Sequence, residues 1–287
     1  MNNGIVERQN EEKSIYYLAA QRQLYNEVKK MDCIGILFSI VLPLGFVGLQ
    51  FIISDYTYLN TLSYILSIVS MFVSLLGGCY IEDKKKTAAE IQQYFDLYVY
   101  QMPWDNKLFG LKRNISNIVA EKAKVLLKNP KEHEQLTNWY TTVAGTVDLK
   151  KGISMCQKEN YNWDVNLRKR FRRLSITSII LLTVLIFLIG IVNNETVAML
   201  LYRLAFVIPM FQWLGKTVIQ LNKDIKNLEE LDDLISSSEL PSMDKLQEIQ
   251  SKIYIQRKSC YTIPNKFYDR YKNNDEDVAH RTALLDK

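Results

Sequence analysis

The chain alternates long apolar stretches with strongly polar ones, and the lengths of the apolar runs set the architecture. Residues 33–53 are apolar apart from Ser39 and Gln50, and residues 62–81 are apolar again after the polar turn "SDYTYLN" at 54–60. Residues 174–192 hold no charged side chain and only a few hydroxyls. At about 1.5 Å per helical residue this run is ~28 Å long, close to one hydrocarbon thickness. A fourth run covers residues 196–218, after the hinge at 193–195. So short a hinge makes its two flanking helices antiparallel. Core helices of a soluble protein do not carry paired, uninterrupted apolar runs of this length, so the pattern predicts four transmembrane helices in two hairpins.

The polar stretches also read as helix. Ile15, Leu18, Tyr25 and Val28 repeat at helical spacing within 11–31, with no proline or glycine before the first apolar run, so one rod is expected to enter the membrane. In "TAAEIQQYFDLYVYQM" (87–102), Ile91, Phe95, Tyr98 and Met102 share a face that Pro103 terminates. "RNISNIVAEKAKVLL" (113–127) presents Ile115, Ile118, Val119 and Leu126, and "EQLTNWYTTV" (134–143) reads as a shorter helix. From Lys150 a helix is expected to run unbroken into the third apolar run, and another to leave the fourth through residue 235. "SSSELP" (236–241) is a loop, and 242–260 a last helix with Leu246, Ile249 and Ile253 aligned. "TIPNKFY" (262–268) is expected to be extended, because Pro264 pushes Ile263 out of helical geometry. The tail beyond Asn273 is polar and expected to be mobile.

The expected fold is therefore an all-α integral membrane protein. Residues 1–32 form an N-terminal cytoplasmic helix, 33–81 the first transmembrane hairpin and 82–173 a helical cytoplasmic sensor domain. Residues 174–219 form the second hairpin, and 220–287 the C-terminal cytoplasmic helices and tail.

Charge orients this arrangement. Lys29 and Lys30 precede the first run, and Lys84, Lys85 and Lys86 follow the second. Arg168, Lys169, Arg170, Arg172 and Arg173 precede the third, and Lys216, Lys223 and Lys226 lie at the end of the fourth. The two turns carry Asp55 and Glu195 and no lysine or arginine. Basic flanks stay on the cytoplasmic side, so both termini and the middle segment are expected in the cytoplasm of a multi-pass protein. The basic residues sit where topology alone would put them and the net charge is only +5, which disfavours a DNA or RNA polymer as partner.

Several function classes drop out. The first apolar run begins more than thirty residues in and lacks a small-residue cleavage site, so it is not a removable signal peptide. Cys33, Cys79, Cys156 and Cys260 are scattered, are expected as reduced thiols, and show no metal-type spacing. With only His133 and His280, no histidine-based metal site is expected. Phosphate-binding, dinucleotide, nucleophile-elbow and metalloprotease motifs are absent, so neither enzymatic chemistry nor a cofactor is expected. A transporter fits poorly, because four helices leave little room for a midplane site and no intramembrane carboxylate appears.

Four strings carry a resemblance: "AAQRQLYNEVK" (19–29), "TNWY" (137–140), "CQKENYNWDVNLR" (156–168) and "IQSKIYIQRKSCYTIPNKFY" (249–268). With the two apolar pairs in this order, the chain resembles the SMODS-associating four-transmembrane effectors over nearly its whole length. The resemblance implies an effector of cyclic-oligonucleotide-based anti-phage signalling (CBASS), working beside a nucleotidyltransferase. Ligand binding would drive it to form a pore in, or disrupt, the bacterial inner membrane, and so bring about abortive infection, with a homo-oligomer expected. The reading from another class is a non-catalytic membrane scaffold or sensor whose cytoplasmic helices bind a protein partner.

A cyclic oligonucleotide asks for cations at its phosphates and flat faces at its bases. "NYNWDVNLRKR" supplies Tyr161, Trp163, Arg168 and Arg170, with Trp163 on a stripe shared by Gly152, Cys156, Asn160, Leu167 and Phe171. Trp139 and Tyr140 form a second candidate, and Gln250, Arg257 and Tyr268 a third. Each has a plainer reading: Trp163, Trp139 and Tyr140 as packing residues, and Gln250 and Arg257, seven apart on one helix face, as solvated surface. In the second apolar run Ser63, Ser67, Ser70, Ser74 and Gly77 form one small, weakly polar stripe, either a close-approach surface between helices or a wettable pore face. Arg203 lies inside the fourth run, a functional candidate unless it simply snorkels outward. Pro43 and Pro209 permit kinks.

Overall fold

The computed structural model describes residues 2–49, 57–237, 241–268 and 270–271. The side chains of residues 57, 59, 60, 63, 160–163, 202, 203, 205 and 206 lie outside that description. Much of the turn expected at 54–60, the centre of the loop at 236–241 and the tail beyond Asn273 also lie outside the described residues. Among the described residues every regular element is a helix.

A short α1 (Ile5–Gln9) leads into α2 (Glu12–Ile36), which passes through one π-helical turn, Leu37–Val41, into α3 (Leu42–Leu49). The expected rod into the first apolar run is therefore a single column. Proline explains the widened turn: Pro43 has no N–H to offer the carbonyl four residues back, and the Leu42 N–H reaches past one residue to the Leu37 carbonyl.

The second apolar run and the polar helix after it are one element, α4 (Thr57–Tyr100), of 44 residues. It ends at Gln101, whose φ of 56° is left-handed, with the Met102 N–H turned back 2.9 Å onto the Leu97 carbonyl and Pro103 next. α5 (Asn106–Phe109) and α6 (Ser116–Leu126) follow, then α7 (Pro130–Glu134), where Asn129 caps the first turn and Pro130 occupies it. The helix expected over 134–143 does not form. Asn138 takes a φ of 51° and its N–H donates to the Asn10 side chain at 2.8 Å, so a side chain captures the backbone group a helix would have used. Only a 3₁₀ turn, Thr142–Thr146, follows.

α8 (Leu149–Val192) runs unbroken for 44 residues from its Asp148 cap into the third apolar run, as expected. The fourth run is broken beside Pro209, where the sequence permitted a kink. It divides at Val207 into α9 (Val197–Phe206) and α10 (Ile208–Ser236), because Pro209 in the first turn of α10 cannot donate into a continuing helix. Accordingly, three helices among the described residues are long and apolar enough to cross a membrane: Glu12–Leu49, Tyr64–Tyr100 and Leu149–Val192. α11 (Met243–Ser259) is the expected last helix. After it the chain has no regular structure as far as Pro264, whose carbonyl then accepts from the Phe267 and Tyr268 N–H groups, so the stretch expected to be extended over 262–268 turns helical from Asn265.

Two antiparallel pairs organise the whole. Along α2–α4, Lys13 meets Tyr98, Tyr17 meets Tyr94, Glu27 meets Lys84 and Ser39 meets Ser70, one number rising as the other falls. Along α8–α10, Val165 shares a buried cluster with Ile225 and Leu228, Arg168 bonds Asp224 and Arg172 bonds Asn222. The polar ends of the helices, with α1, α5, α6 and α11, enclose a core around Leu18, Phe95, Tyr140 and Ile153. In the apolar runs the large side chains instead point outward: Ile65, Ile68, Phe72 and Leu76 on α4, and Ile180, Leu181, Leu188 and Ile191 on α8 are exposed. A belt of this size has no place in water and fits hydrocarbon.

Candidate functional site

The three groups of residues singled out in the sequence occupy different places. Tyr140, Gln250 and Arg257 converge on Asp96 of α4, which is fully buried. The Tyr140 hydroxyl donates to Asp96 at 2.6 Å and Gln250 Nε2 at 2.8 Å, and Arg257 forms an ion pair with the same carboxylate. Gln250 Nε2 also reaches Gln93 at 2.9 Å, and its oxygen accepts from Gln157 at 3.1 Å, so α4, α8 and α11 meet at one polar hub. Burial alone would lower the Arg257 pKa, but Asp96 outweighs it and raises it. Burial pushes the Tyr140 hydroxyl well above its ordinary value, with Asp96 adding to the effect. Gln250 and Arg257 are not the solvated surface that their seven-residue spacing suggested, whereas Tyr140 is the packing residue of its plainer reading. They are the interior joint of the polar body.

Arg168 forms a second joint. Its Nε donates to Asp164 at 2.9 Å, and its Nη1 to Asp224 at 2.8 Å and to the Tyr261 carbonyl at 2.9 Å. Asp224 accepts in addition from the Tyr261 N–H at 2.7 Å and Gln220 at 2.8 Å. Burial would lower the Arg168 pKa, but Asp164 and Asp224 raise it, while burial raises Asp224 against the opposing pull of Arg168. Arg168 is thus 4% exposed, with its Nε and Nη1 committed to protein acceptors. The rest of the basic cluster is engaged as well. Lys169 pairs with Glu229 at 2.7 Å, Arg170 lies 4.8 Å over the Tyr271 ring and Arg172 reaches Asn222 at 2.9 Å. Trp139 stands apart beneath Arg22 at 5.8 Å, and Tyr268 lies under Lys29 at 5.3 Å. The side chains of Tyr161, Trp163, Ser63 and Arg203 lie outside the described residues.

On the serine stripe, Ser70 is buried with its Oγ 3.4 Å from that of Ser39, and Gly77 lies against Met31. Ser67 and Ser70 line a small recess with Phe38, Pro43, Phe46 and Pro209, while Ser74 is exposed. Over Ser70 and Gly77 the stripe is therefore a close-approach surface between α4 and the α2–α3 column.

A groove that no sequence motif announced lies on the other face of the polar body. It is an open groove of about 870 Å³ between α1, the first turns of α2, the last turns of α4 and the segment 102–116 that carries α5. Its wall is aromatic: Tyr94 stacks on Trp104 with centroids 4.6 Å apart, and Tyr17 follows at 6.3 Å. The Trp104 N–H is tied to the Gly110 carbonyl at 2.8 Å and the Tyr94 hydroxyl to the Arg113 carbonyl at 2.6 Å, which fixes the rings. Cations rim it. Lys13 Nζ stands 4.5 Å over Tyr98, Lys112 Nζ 5.7 Å from Tyr94, and Arg8 is held at 2.8 Å by the Val99 carbonyl. Arg113 is neutralised by a two-pronged ion pair with Glu90, which raises its pKa. Sequence periodicity assigned Tyr98 to the core face of α4. Ile91, Phe95 and Met102 are indeed buried, but Tyr98 is half-exposed, with its hydroxyl on Glu11. The available signal was Lys13 and Tyr17 one turn apart on α2, matched by Tyr94 and Tyr98 one turn apart on α4.

Comparison with known proteins places this architecture. The chain is 25% identical over 301 residues to a protein of Bacillus cereus (strain VD146) named "probable CBASS effector molecule", covering 99% of this chain and 98% of that one. No solved structure gives a significant match. The family described as the SMODS-associating 4TM effector domain matches residues 3–284, and a match of that extent, over helices long and apolar enough to cross a bilayer, means that the chain is a membrane protein of the SMODS-associating 4TM effector family.

Proposed function

We propose that this protein is a non-enzymatic membrane effector of CBASS anti-phage defence, gated by a cyclic oligonucleotide and acting by permeabilising the inner membrane so that the infected cell dies. The observation that carries the reading is mechanical. α2–α3, α4 and α8 each run without interruption from the polar body into an apolar run, so whatever reshapes the body moves the membrane segments directly. In this reading α2–α3 with α4 form one membrane hairpin and α8 with α9–α10 the other, the divided fourth run completing a fourth span. Both termini and the polar body face the cytoplasm, in keeping with the basic flanks. The polar body senses the ligand, and several copies assemble around the damaged site in the bilayer.

Purified full-length protein in dye-loaded liposomes tests this. Addition of a panel of cyclic di- and trinucleotides should release dye with at least one member, and only where protein is present. Intact vesicles under every member of the panel, at concentrations that saturate binding, would leave the scaffold reading.

A further inference from the structure

We infer that the groove between α1, α2 and α4 is the ligand site, binding a nucleotide with at least two phosphodiesters by stacking its bases on Tyr98, Tyr17 and Trp104 and holding its phosphates at Lys13 and Lys112. This rests on the proposed gating by a cyclic oligonucleotide and names where that gating begins.

Three features of the groove converge on it. The first is charge: Lys13 and Lys112 line the groove without an ion-pair partner among the described residues, whereas Arg8 beside them donates to the Val99 and Asn3 carbonyls and feels Glu7 and Glu11, the latter the single lining carboxylate. Cations left uncompensated around a concave surface attract an anion, and Lys13 and Lys112 stand over ring faces, where a base and its phosphate would lie side by side. The second is the flat wall. Base stacking needs ring faces that do not swing away, and the Trp104–Gly110 and Tyr94–Arg113 hydrogen bonds hold two of the rings in place. The third is strain at the rim. Gln101 ends α4 at a φ of 56°, the position where glycine is the ordinary residue, and it lines the groove. A side chain kept there against its backbone preference serves something other than the helix end, and a carboxamide offers both a donor and an acceptor to a base edge.

The site also explains transmission. Lys13 and Tyr17 belong to α2, Tyr98 and Gln101 to the end of α4, and both helices continue into apolar runs. By helix rise the groove is about 25 Å from those runs on each helix. A ligand bridging the two would draw their ends together and tilt the membrane segments beyond.

The test uses the full-length protein in detergent and measures binding of cyclic dinucleotides and cyclic trinucleotides of adenine, guanine and uracil at two salt concentrations. Lys13→Glu and Lys112→Glu are exposed changes that do not threaten folding. Each should weaken the best-bound member by about tenfold to a hundredfold, the loss of a charge-assisted contact, and flatten the salt dependence. Tyr98→Leu should weaken it by about tenfold or more, as a lost stack does. Gln101→Gly should leave the protein as stable as the wild type or more so, yet bind more weakly. Lys131→Glu, on the surface outside the groove, should bind as the wild type does. If the wild type binds a member of the panel and the Lys13, Lys112 and Tyr98 variants bind it equally well, the groove is overturned while cyclic-oligonucleotide gating stands. If the wild type binds no member, the gating reading falls and the groove assignment with it.

Discussion

Arg168 Nη1 of α8 lies 2.8 Å from Asp224 Oδ2 of α10, and the same carboxylate accepts the Tyr261 N–H at 2.7 Å. Three segments are thus pinned by one buried ion pair at the level where α8 enters its apolar run. Removing one partner strands a charge. Asp224→Ala is expected to cost about 3–5 kcal/mol, whereas the double variant Arg168→Met/Asp224→Leu should recover most of that loss, because buried pairs contribute little net stability over apolar groups of similar size. Thermal unfolding of the detergent-solubilised protein measures both. A loss in Arg168→Gln comparable to that in Asp224→Ala, with none in Arg170→Gln, would assign the arginine to architecture rather than to direct ligand contact.

Tight packing where α8 begins gives a second prediction. A Cβ on Gly152 would stand 2.5 Å from the Ala144 carbonyl oxygen and 2.9 Å from Ile5, so the backbone of the 3₁₀ turn would have to yield. Gly152→Ala should destabilise the fold by about 1–3 kcal/mol. Gly215→Ala is the matched comparison. It lies inside α10 with nothing within 4 Å of its Cβ position, and the helical preference for alanine should stabilise by about 0.5–1 kcal/mol. Opposite signs in the two melting shifts are the expected result.

The helices were legible in the sequence because apolar periodicity and long uncharged runs report local burial, and burial here is simple along most elements. Residues 87–102 and 149–192 were readable almost to their ends for that reason. What escaped was set by contacts distant in sequence. The helix expected at 134–143 was lost to a hydrogen bond from Asn138 to Asn10, 128 residues away. Gln250 and Arg257 looked like surface because Asp96, which makes them interior, lies more than 150 residues earlier. The groove has no motif for the same reason: its lysines and tyrosines come from two antiparallel helices and the connection between α5 and α6. Asp96 itself passed unread: its face of α4 also carries Gln92 and Gln93, so nothing in the local pattern marked it as interior.

Topology follows from the basic flanks. Single cysteines introduced at Thr57 or Asn194 of a variant lacking native cysteines should react in intact cells with a membrane-impermeant thiol reagent, and one at Ser116 only after lysis. Asn194 lies in the hinge between α8 and α9, and Ser116 opens α6 in the polar body. Labelling of Ser116→Cys in intact cells would turn the protein over and put the sensing groove outside.

The close contact of α4 with the π turn gives a way to ask whether the first apolar pair has to part for the membrane to be breached. Ser39 and Ser70 face one another at 3.4 Å between their Oγ atoms, both buried, at the level where Pro43 widens the helix. The widened turn is the weakest-bonded point of the α2–α3 column, so a tilt imposed by the polar body is expected to be taken up there. Ser39→Cys/Ser70→Cys, again in a background without native cysteines, should cross-link under a lipid-permeant oxidant, since replacement sulfurs at these positions start within reach of each other. Locked in this way, the protein should bind its ligand but release no dye from liposomes, and reduction should restore release to the level of the single variants. Undiminished release from the fully cross-linked protein would mean that α2–α3 and α4 move as one body, and would place the opening between this pair and the α8–α10 pair instead.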